Sequence, residues 1–238
     1  MIRLHLPGAQ AGSTRLEGAR LHYLARVLRV KVGDALEVFD GRGTSFEAQV
    51  AELSELHATL TLTRPRVTPP PRAVTLLQGL PKADKLELVL QKGTELGAAA
   101  FAPVACARSV VKLDGKEEKK QQRWQRIAEE AARQCGRAEV PVVHHPRPLF
   151  EAVRALPEGT RVLVLDEEET AVPLSAAVPP DAPVALVIGP EGGLSRAEVE
   201  GLRSLGATSV TLGPLILRTE TAGLAALSVL RHLDGLLG

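Results

Sequence analysis

The chain contains 238 residues, of which 45% are apolar and 24% are charged, and its formal net charge at pH 7 is +1. These values allow one large or two modest domains with real cores, and they exclude a disordered or fibrous protein. A total charge so close to zero also argues against a protein that coats nucleic acid through general positive charge.

The charge is unevenly distributed along the chain. Residues 1–72 carry a balance of +3, residues 73–147 one of +4, and residues 148–238 one of −6. We interpret this as a basic front two-thirds joined to an acidic end. The pattern indicates that binding of a polyanion and chemistry are divided along the chain.

Cysteine usage and the apolar segments predict a cytoplasmic protein without a membrane span. Cys106 and Cys135 cannot form a disulfide framework or a zinc set by themselves, which favours a reducing compartment and no metal. The start, MIRLHLPG, lacks the apolar core of a secretory signal. The most apolar stretch, residues 222–237, is interrupted by Arg231, His232 and Asp234, so no membrane attachment is expected.

Residues 1–68 are predicted to form a small β-barrel or sheet that carries one helix. The predicted elements are a helix through Leu21, Leu24, Val27 and Leu28, a hairpin of residues 35–39 and 46–53 around a glycine turn, and a strand over residues 57–63. Residues 65–72 hold four prolines. Their density predicts a stiff, extended linker.

Residues 73–238 are predicted to form an α/β domain with a mainly parallel sheet, because strands alternate with helices there. The predicted strands cover residues 73–77, 99–105, 140–143, 161–166, 184–188 and 208–212. The predicted helices cover residues 81–97, 116–136, 149–156, 195–205 and 219–237. Ligands bind beyond the carboxyl ends of such strands, so a site is expected in the loops after Asp166, Ile188 and Leu212.

The first of these loops, IGPEGG at residues 188–193, precedes Ser195 and Glu198, which are spaced as a capping box that opens a helix. Two adjacent glycines let the backbone approach a ligand closely, and a helix start offers N–H groups. A tight turn and a ligand loop are equally good interpretations. Polyphosphate is disfavoured, because Pro190 removes a donor and Glu191 adds negative charge. A cationic or neutral polar ligand fits better.

The second loop, LGPLILRTETAG at residues 212–223, carries Arg218 before a helix that Thr219 or Thr221 could cap. A lone arginine is usually a solvated surface residue. The place of Arg218 at the expected active end of the sheet raises the case for a functional role. The third loop begins with Asp166 and the acidic run 167–169, which we interpret as a solvated turn.

Several basic residues outside these loops are further candidates. Arg108 follows the strand 99–105, while Gln134 and Arg137 lie at the end of the long helix. Recognition of a phosphate or base and ordinary salt bridges are equally open for these residues.

Lysines of the helix 81–97 can share one face with Glu95, and surface ion pairs are the favoured interpretation of them. That face contains Lys85, Leu88 and Lys92. Aromatic residues are few, so recognition of RNA would depend on arginine planes, backbone charge and shape. The candidate RNA contacts are His22, Arg26, Arg29, Lys31 and Lys92.

Five segments occur in a combination typical of one family. They are RLHYLARVLRVKVGD at 20–34, KLELVLQKGTELG at 85–97, IAEEAARQCGR at 127–137, IGPEGGLS at 188–195 and LGPLILRTETA at 212–222. In this order, and over nearly the whole chain, they closely resemble the RsmE family of ribosomal small subunit RNA methyltransferases, which belongs to the SPOUT superfamily.

The resemblance implies a front PUA-like barrel over residues 1–68 that helps to grip RNA and a SPOUT methyltransferase domain over residues 73–238. That α/β domain would contain a trefoil knot, which general topology rules would not have suggested, and would form a homodimer. The implied cofactor is S-adenosylmethionine. The implied reaction is methylation of N3 of one uridine in the decoding region of 16S rRNA, on the assembled small subunit.

The resemblance also implies roles for particular residues. The implied cofactor-binding residues are Leu165, Ile188, Gly189, Pro190, Glu191, Gly192, Gly193, Leu212, Gly213, Leu217, Arg218, Thr219 and Ala222. The implied catalytic residues are Arg218, Arg108, Gln134 and Arg137, with Arg218 stabilising the developing uridinate. The target base would have to leave its stack to reach the donor.

Three positions depart from the family pattern, and no role is assigned to them. Leu215 stands where a basic residue is common, Ala107 where an acidic residue is frequent, and Arg133 where glutamate is usual. Two other functions stay open: a SPOUT enzyme that acts on a ribose 2′-hydroxyl or a tRNA base, and a non-catalytic ribosome-binding factor. The glycines at 192 and 193 and residues Arg218 and Thr219 favour an enzyme.

Overall fold

A computed structural model describes residues 1–82, 84–110, 115 and 117–238 of the chain. The described residues form two compact units. Unit 1 consists of Met1–Pro70 and Ala132–Val140, and unit 2 of Pro71–Ala131 and Pro141–Gly238. Unit 1 therefore includes a segment from the second half of the chain that no break in the sequence pattern signals.

Unit 1 is built on a five-stranded sheet with the order β1-β3-β4-β5-β2. The strands are β1 Arg3–His5, β2 Gly12–Leu16, β3 Ala35–Phe39, β4 Thr44–Leu53 and β5 Ala58–Val67. β1 pairs with β3 in parallel, and the other pairs are antiparallel. The predicted hairpin is thus confirmed. Alternate residues such as Leu36, Val38 and Leu60 point into a common apolar core, as the two-residue period of a strand requires.

The helix predicted through Leu28 is only partly α-helical. Helix α1 covers Gly18–His22 and continues as a π turn over Tyr23–Leu28, which ends at Arg29 with a left-handed φ of 54°. A π turn accommodates more residues per turn than an α-helix. Val27, which α-helical spacing places on the face of the buried Leu24, is consequently 57% exposed.

The proline-rich segment is not a linker throughout. Strand β5 extends to Val67, so residues 65–67 belong to the sheet. The register between β4 and β5 shifts between Ser45 and Glu47, and residues 64 and 65 have no partner in the ladder there. Pro65 therefore costs no hydrogen bond, which is why a strand can pass through it.

Unit 2 is an α/β structure in which every strand pair is parallel, as predicted. Its sheet has the order β12-β10-β11-β6-β7-β8, and β9 also pairs with β7. The strands are β6 Val74–Gly79, β7 Ala100–Ala105, β8 Val142–Val143, β9 Arg147–Pro148, β10 Arg161–Leu165, β11 Val184–Ile188 and β12 Thr208–Val210. The helices are α2 Lys85–Glu95, α3 Glu117–Cys135, α4 Leu149–Arg154, α5 Leu174–Ala177, α6 Arg196–Ser204 and α7 Thr219–Leu233.

Both faces of this sheet are buried, which explains the nearly continuous apolar runs of its strands. On one face Leu76 and Leu186 share a cluster with residues of α2, α3 and α7. On the other, Leu77 and Val187 share a cluster with residues of α4 and α6. All five residues of β11 are buried.

The predicted elements differ from the observed ones mainly at their ends. The strand predicted over 140–143 is reduced to β8, that over 208–212 stops at Val210, and the last helix stops at Leu233. Lys116, the predicted start of the long helix, lies outside the described residues. The sequence did not predict β1, β2, β9 or α5. Among the helices of the described part of the chain, none is long and apolar enough to cross a membrane.

A buried charged cluster joins three segments of unit 2. Arg231 of α7 is 2% exposed and donates to the carbonyl oxygens of Gly97 at 2.6 Å and Arg72 at 2.9 Å, and to the Asp234 carboxylate at 3.0 Å. Arg72 pairs with the same carboxylate. Burial lowers the pKa of the Arg231 guanidinium, although Asp234 opposes the shift. The cluster therefore connects the end of α7 to the end of α2 and the segment before β6.

Candidate functional site

A cavity of about 480 Å³ opens beyond the carboxyl ends of β10, β11 and β12. Three segments and two further helix residues line it: residues 165–167, residues 188–194 without Gly192, residues 210–220 with Ala222, and Lys85 of α2 with Arg196 of α6. Its volume falls within the ~300–1,000 Å³ typical of small-molecule sites. The position is the one that a parallel sheet favours for ligands.

The first loop, which we call the donor loop, consists of Gly189–Gly193. A Cβ at Gly189 would lie 2.8 Å from the carbonyl carbon of Gly193 and the nitrogen of Leu194, so only glycine fits there. Gly193 adopts a φ of +69° and donates to the Pro190 carbonyl at 2.9 Å. The Thr219 hydroxyl donates to the carbonyl of Gly189 and accepts from Gln78, which ties the loop to α7.

Helix capping at the two loops has one confirmed and one wrong prediction. The capping box at the start of α6 is confirmed, because Ser195 Oγ accepts from the Glu198 N–H and Glu198 accepts from the Ser195 N–H. Neither Thr219 nor Thr221 caps α7. The N-cap residue is Arg218, whose side chain makes no capping bond, and the Thr219 hydroxyl donates to the Gly189 carbonyl instead.

The second loop places Arg218 beside the cavity with an exposed side chain. Within the described residues, its guanidinium has no hydrogen bond or ion pair. Leu215 and Ile216 of the same loop also line the cavity and are 76% and 81% exposed. The loop thus offers one available cation beside an apolar surface.

The third loop is not simply a solvated turn. Glu167 and Glu168 are exposed, as predicted, but the side chain of Asp166 is 1% exposed and accepts two hydrogen bonds from Arg196, at 2.6 and 3.2 Å. Burial alone would raise the pKa of the Asp166 carboxyl, but the hydrogen bonds from Arg196 and the Glu168 N–H, with the charges of Arg196 and Arg203, together lower it below its ordinary value. The sequence could not show this pair, because Arg196 begins α6, 30 residues after Asp166 in the chain.

Lys85 is a site residue that the sequence missed. Its Nζ lies 3.1 Å from Glu191 and 3.3 Å from Glu220, and all three residues line the cavity. The hydrogen bond to Glu191 raises the pKa of Lys85 despite partial desolvation. The expected surface ion pair on this helix is found instead at Lys92, whose Nζ is 2.9 Å from Glu95.

Several candidate residues do not line the cavity. Gly192 faces away from it, and its carbonyl accepts from Nη1 of the exposed Arg108 at 2.8 Å. Gln134 and Arg137 belong to unit 1 and are absent from the cavity wall. The candidate RNA contacts of unit 1 are all exposed and cluster on α1, the π turn and the residues after it: His22, Arg26, Arg29 and Lys31.

The cavity wall carries four carboxylates, three cations and several apolar side chains. The cations are Lys85, Arg196 and Arg218, of which the first two are paired with carboxylates. Such a wall does not suit a polyphosphate, which needs an excess of donors. In residues 1–82, 84–110, 115 and 117–238, no group of three or more His, Cys, Asp or Glu side chains is placed to hold a metal ion.

Comparison with known proteins gives consistent matches over both units. A family model described as an RNA methyltransferase domain matches residues 68–231, and one described as an RNA methyltransferase PUA domain matches residues 16–63. The chain is 37% identical to ribosomal RNA small subunit methyltransferase E of Bacillus subtilis, over 96% of this chain and 93% of that protein. It is 35% identical to the protein of that name from Mycobacterium tuberculosis, over 89% and 83% of the two chains.

Two solved structures extend the similarity to the fold. One is ribosomal RNA small subunit methyltransferase E of Neisseria gonorrhoeae bound to S-adenosylmethionine, with a TM-score of 0.89, 31% identity and coverage of 98% of both chains. The other is a methyltransferase of Legionella pneumophila in complex with the same cofactor, with a TM-score of 0.83, 33% identity and coverage of 97% of both chains.

Proposed function

Because the chain belongs to the RsmE family of RNA methyltransferases, we propose that it transfers a methyl group from S-adenosylmethionine to N3 of a uridine in 16S rRNA. The observation that carries this proposal is the glycine-built cavity at the ends of β10, β11 and β12. The protein is an rRNA methyltransferase that uses S-adenosylmethionine. The base, its position and the assembled small subunit as substrate are the finer parts of the proposal.

The wall of the cavity fits this cofactor. The close packing at Gly189 and the left-handed Gly193 let the backbone of the loop approach a ligand at these two positions. Leu165, Ile188 and Leu217 supply apolar surface for an adenine, and the carboxylates suit a ligand that carries a sulfonium and an ammonium group. We propose that the cofactor is held by these residues together with Pro190, Glu191, Leu212, Gly213, Arg218, Thr219 and Ala222, while Gly192 contacts Arg108 and not the cofactor.

Replacement of Gly189 by alanine should lower the affinity for S-adenosylmethionine by at least about tenfold, because the new Cβ would press on backbone atoms that cannot rotate away. Isothermal titration calorimetry measures the effect. Gly206→Ala is the control: it places a Cβ at a φ of +87° with no atom within 4 Å, at the far end of α6. Unchanged affinity in Gly189→Ala would show that this loop does not hold the cofactor.

The chemistry assigned to the protein concerns the uracil ring. When bound, the cofactor supplies an electrophilic methyl group on sulfur. We propose that Arg218 donates to a uracil carbonyl oxygen, on which negative charge develops as N3 loses its proton to solvent. Arg108, adjacent to the donor loop, would contact the flipped nucleotide. Gln134 and Arg137 are proposed at the same base on the sequence resemblance alone.

RNA would be gripped by the cations that the sequence singles out: His22, Arg26, Arg29 and Lys31 of unit 1, and Lys92 of α2. Their exposure supports contact with phosphates. We retain a PUA-like domain over residues 1–68 and a SPOUT domain over residues 73–238, knotted and dimeric, as parts of the proposal. The exposed Leu215 and Ile216 supply apolar surface for a dimer, and two free cysteines agree with a reducing cytoplasm.

Salt dependence tests the RNA contacts. The double variant Arg26→Ala with Arg29→Ala should bind rRNA more weakly and reduce the slope of log K against log salt by about 1.4, the value for two lost contacts to single-stranded phosphates. Filter binding at several salt concentrations measures the slope. Arg15→Ala is the control, since Arg15 is exposed but already paired with Glu17 at 2.7 Å. An unchanged slope in the double variant would show that the π turn does not contact the RNA.

The proposed reaction is tested by mass mapping of small-subunit RNA from cells that lack the gene. We expect one 3-methyluridine to disappear and to return with the wild-type gene. A lost 2′-O-methyl group or tRNA modification would replace the proposed substrate with one of the other SPOUT reactions. An unchanged map in RNA of both kinds, together with no uptake of S-adenosylmethionine in calorimetry, would favour a non-catalytic binding factor.

A further inference from the structure

Glu198 makes more contacts than its place in a capping box requires. The box uses one oxygen, Oε2, which accepts from the N–H and the hydroxyl of Ser195, both at 2.8 Å. The other oxygen, Oε1, accepts from the backbone N–H of Ala107 at 2.7 Å. Glu198 is 7% exposed, so water is a poor substitute for any of these donors.

The segment that Glu198 reaches is a tight turn after β7. Ser109 N–H donates to the Cys106 carbonyl at 3.0 Å, and Cys106 N–H donates to Ser109 Oγ at 3.1 Å. Arg108 follows Ala107 in this turn, and its Nη1 donates to the carbonyl of Gly192 at 2.8 Å. The turn after β7 is therefore connected to the start of α6 through Glu198, and to the donor loop through Arg108.

We infer that Glu198 is a positioning residue, which through the N–H of Ala107 fixes Arg108 against the donor loop and so sets where Arg108 meets the target nucleotide. The inference rests on the proposed function, in which Arg108 contacts the RNA. Only a carboxylate can accept from both Ser195 and Ala107 with separate oxygens. Glutamine has a single acceptor oxygen, so it could accept from Ser195 or from Ala107 but not from both.

The negative charge of Glu198 also affects Cys106, in the turn after β7 that Glu198 contacts. Burial raises the pKa of the Cys106 thiol to about 12, and the negative charge of Glu198 contributes to the shift. The opposite contact is also tight: a Cβ at residue 192 would lie 3.2 Å from Cβ of Arg108. Both ends of the connection are thus closely fitted.

Ala107→Pro tests the inference by removing one donor and leaving Glu198 in place. Ala107 is the second residue of the turn closed by Ser109, a position at which proline is favoured. We expect kcat/KM on unmethylated small subunits to fall about tenfold, while the affinity for S-adenosylmethionine changes by less than about threefold. Adding Arg108→Ala to this variant should lower kcat/KM by less than about a further twofold, because both changes act through the position of Arg108.

Ser195→Ala is the matched control. It removes a hydroxyl from the same capping box and keeps the bond between Glu198 and Ala107, so it should lower the melting temperature but leave kcat/KM within about twofold. If Ala107→Pro is unfolded at the assay temperature, the same pair of measurements, with and without Arg108→Ala, is made on Glu198→Gln instead. Full activity of the variant, or additive losses with Arg108→Ala, would overturn the inference. An inactive wild-type protein would instead overturn the proposed function.

Discussion

Replacing Arg218 by alanine should lower kcat for rRNA methylation about 10²- to 10³-fold, while the affinity for S-adenosylmethionine stays within about tenfold. The magnitude is that of one lost donor to a developing oxyanion. Of the three cations in the cavity wall, Lys85 and Arg196 are neutralised by carboxylates at 2.6–3.3 Å. Arg218 has no such partner within the described residues, so its charge is available to the uracil.

Arg218→Lys separates charge from shape. Lysine keeps the positive charge but lacks the planar set of donors, and we expect an intermediate loss of about tenfold. Steady-state methylation of small subunits measures kcat, and calorimetry measures the affinity for the cofactor. Arg161→Ala, an exposed arginine at the other end of β10, controls for the loss of a surface cation. Unchanged turnover in Arg218→Ala would exclude Arg218 from the chemistry.

Replacing Arg231 by methionine should lower the free energy of unfolding of unit 2 by about 3–5 kcal/mol. The change leaves two carbonyl oxygens without their donor and deprives Asp234 of one of its two cations. Urea denaturation followed by tryptophan fluorescence measures the effect. The single tryptophan, Trp124, is 9% exposed in the core of unit 2 and therefore reports on this unit.

Lys92→Met is the control for that experiment. The pair of Lys92 with Glu95 also lies on a helix of unit 2, but the lysine side chain is 44% exposed. Solvent screens such a pair, so its loss should cost less than about 1 kcal/mol. Equal midpoints for the two variants would mean that the cluster around Arg231 does not hold α7 in place.

The sequence predicted those parts of the fold that depend on local pattern. Apolar runs such as Val184–Ile188 identify strands buried on both faces, and the spacing of Ser195 and Glu198 identifies the start of α6. The ends of the parallel strands then give the loops of the cavity. The family resemblance supplied the rest of the expectation, including the knot and the dimer, which no local pattern contains.

Contacts between distant segments were beyond the sequence. Lys85 lies between Glu191 and Glu220 only because the fold brings α2, the donor loop and α7 together. In the same way Asp166 is buried by its pair with Arg196. An isolated acidic or basic residue is most often solvated, so the sequence alone predicts that Lys85 and Asp166 are surface residues.

Unit 1 shows the same limit at its first strand. Arg3 is 8% exposed, pairs with Glu37 at 2.8 Å and donates from Nη1 to the carbonyls of Ala132, Arg133 and Arg137 at 3.1–3.2 Å. These carbonyls lie at the end of α3, where a cation is favourable. A buried arginine within a three-residue strand gives no strand pattern. These bonds, with those of Gly43 N–H to the Ala138 carbonyl and of Val140 N–H to the Gly41 carbonyl, connect residues 132–140 to the rest of unit 1.

The strand order has a consequence for synthesis on the ribosome. β6 ends at Gly79, but its neighbour β11 begins only at Val184, and β10 lies between β11 and the later β12. Until the nascent chain includes β11, one edge of β6 has no strand to pair with, and the apolar side chains of β6 are only partly buried. Such late closure slows folding and lengthens exposure to aggregation. The sheet of unit 2 is therefore expected to be completed only late in synthesis, after β11 and β12 have left the ribosome.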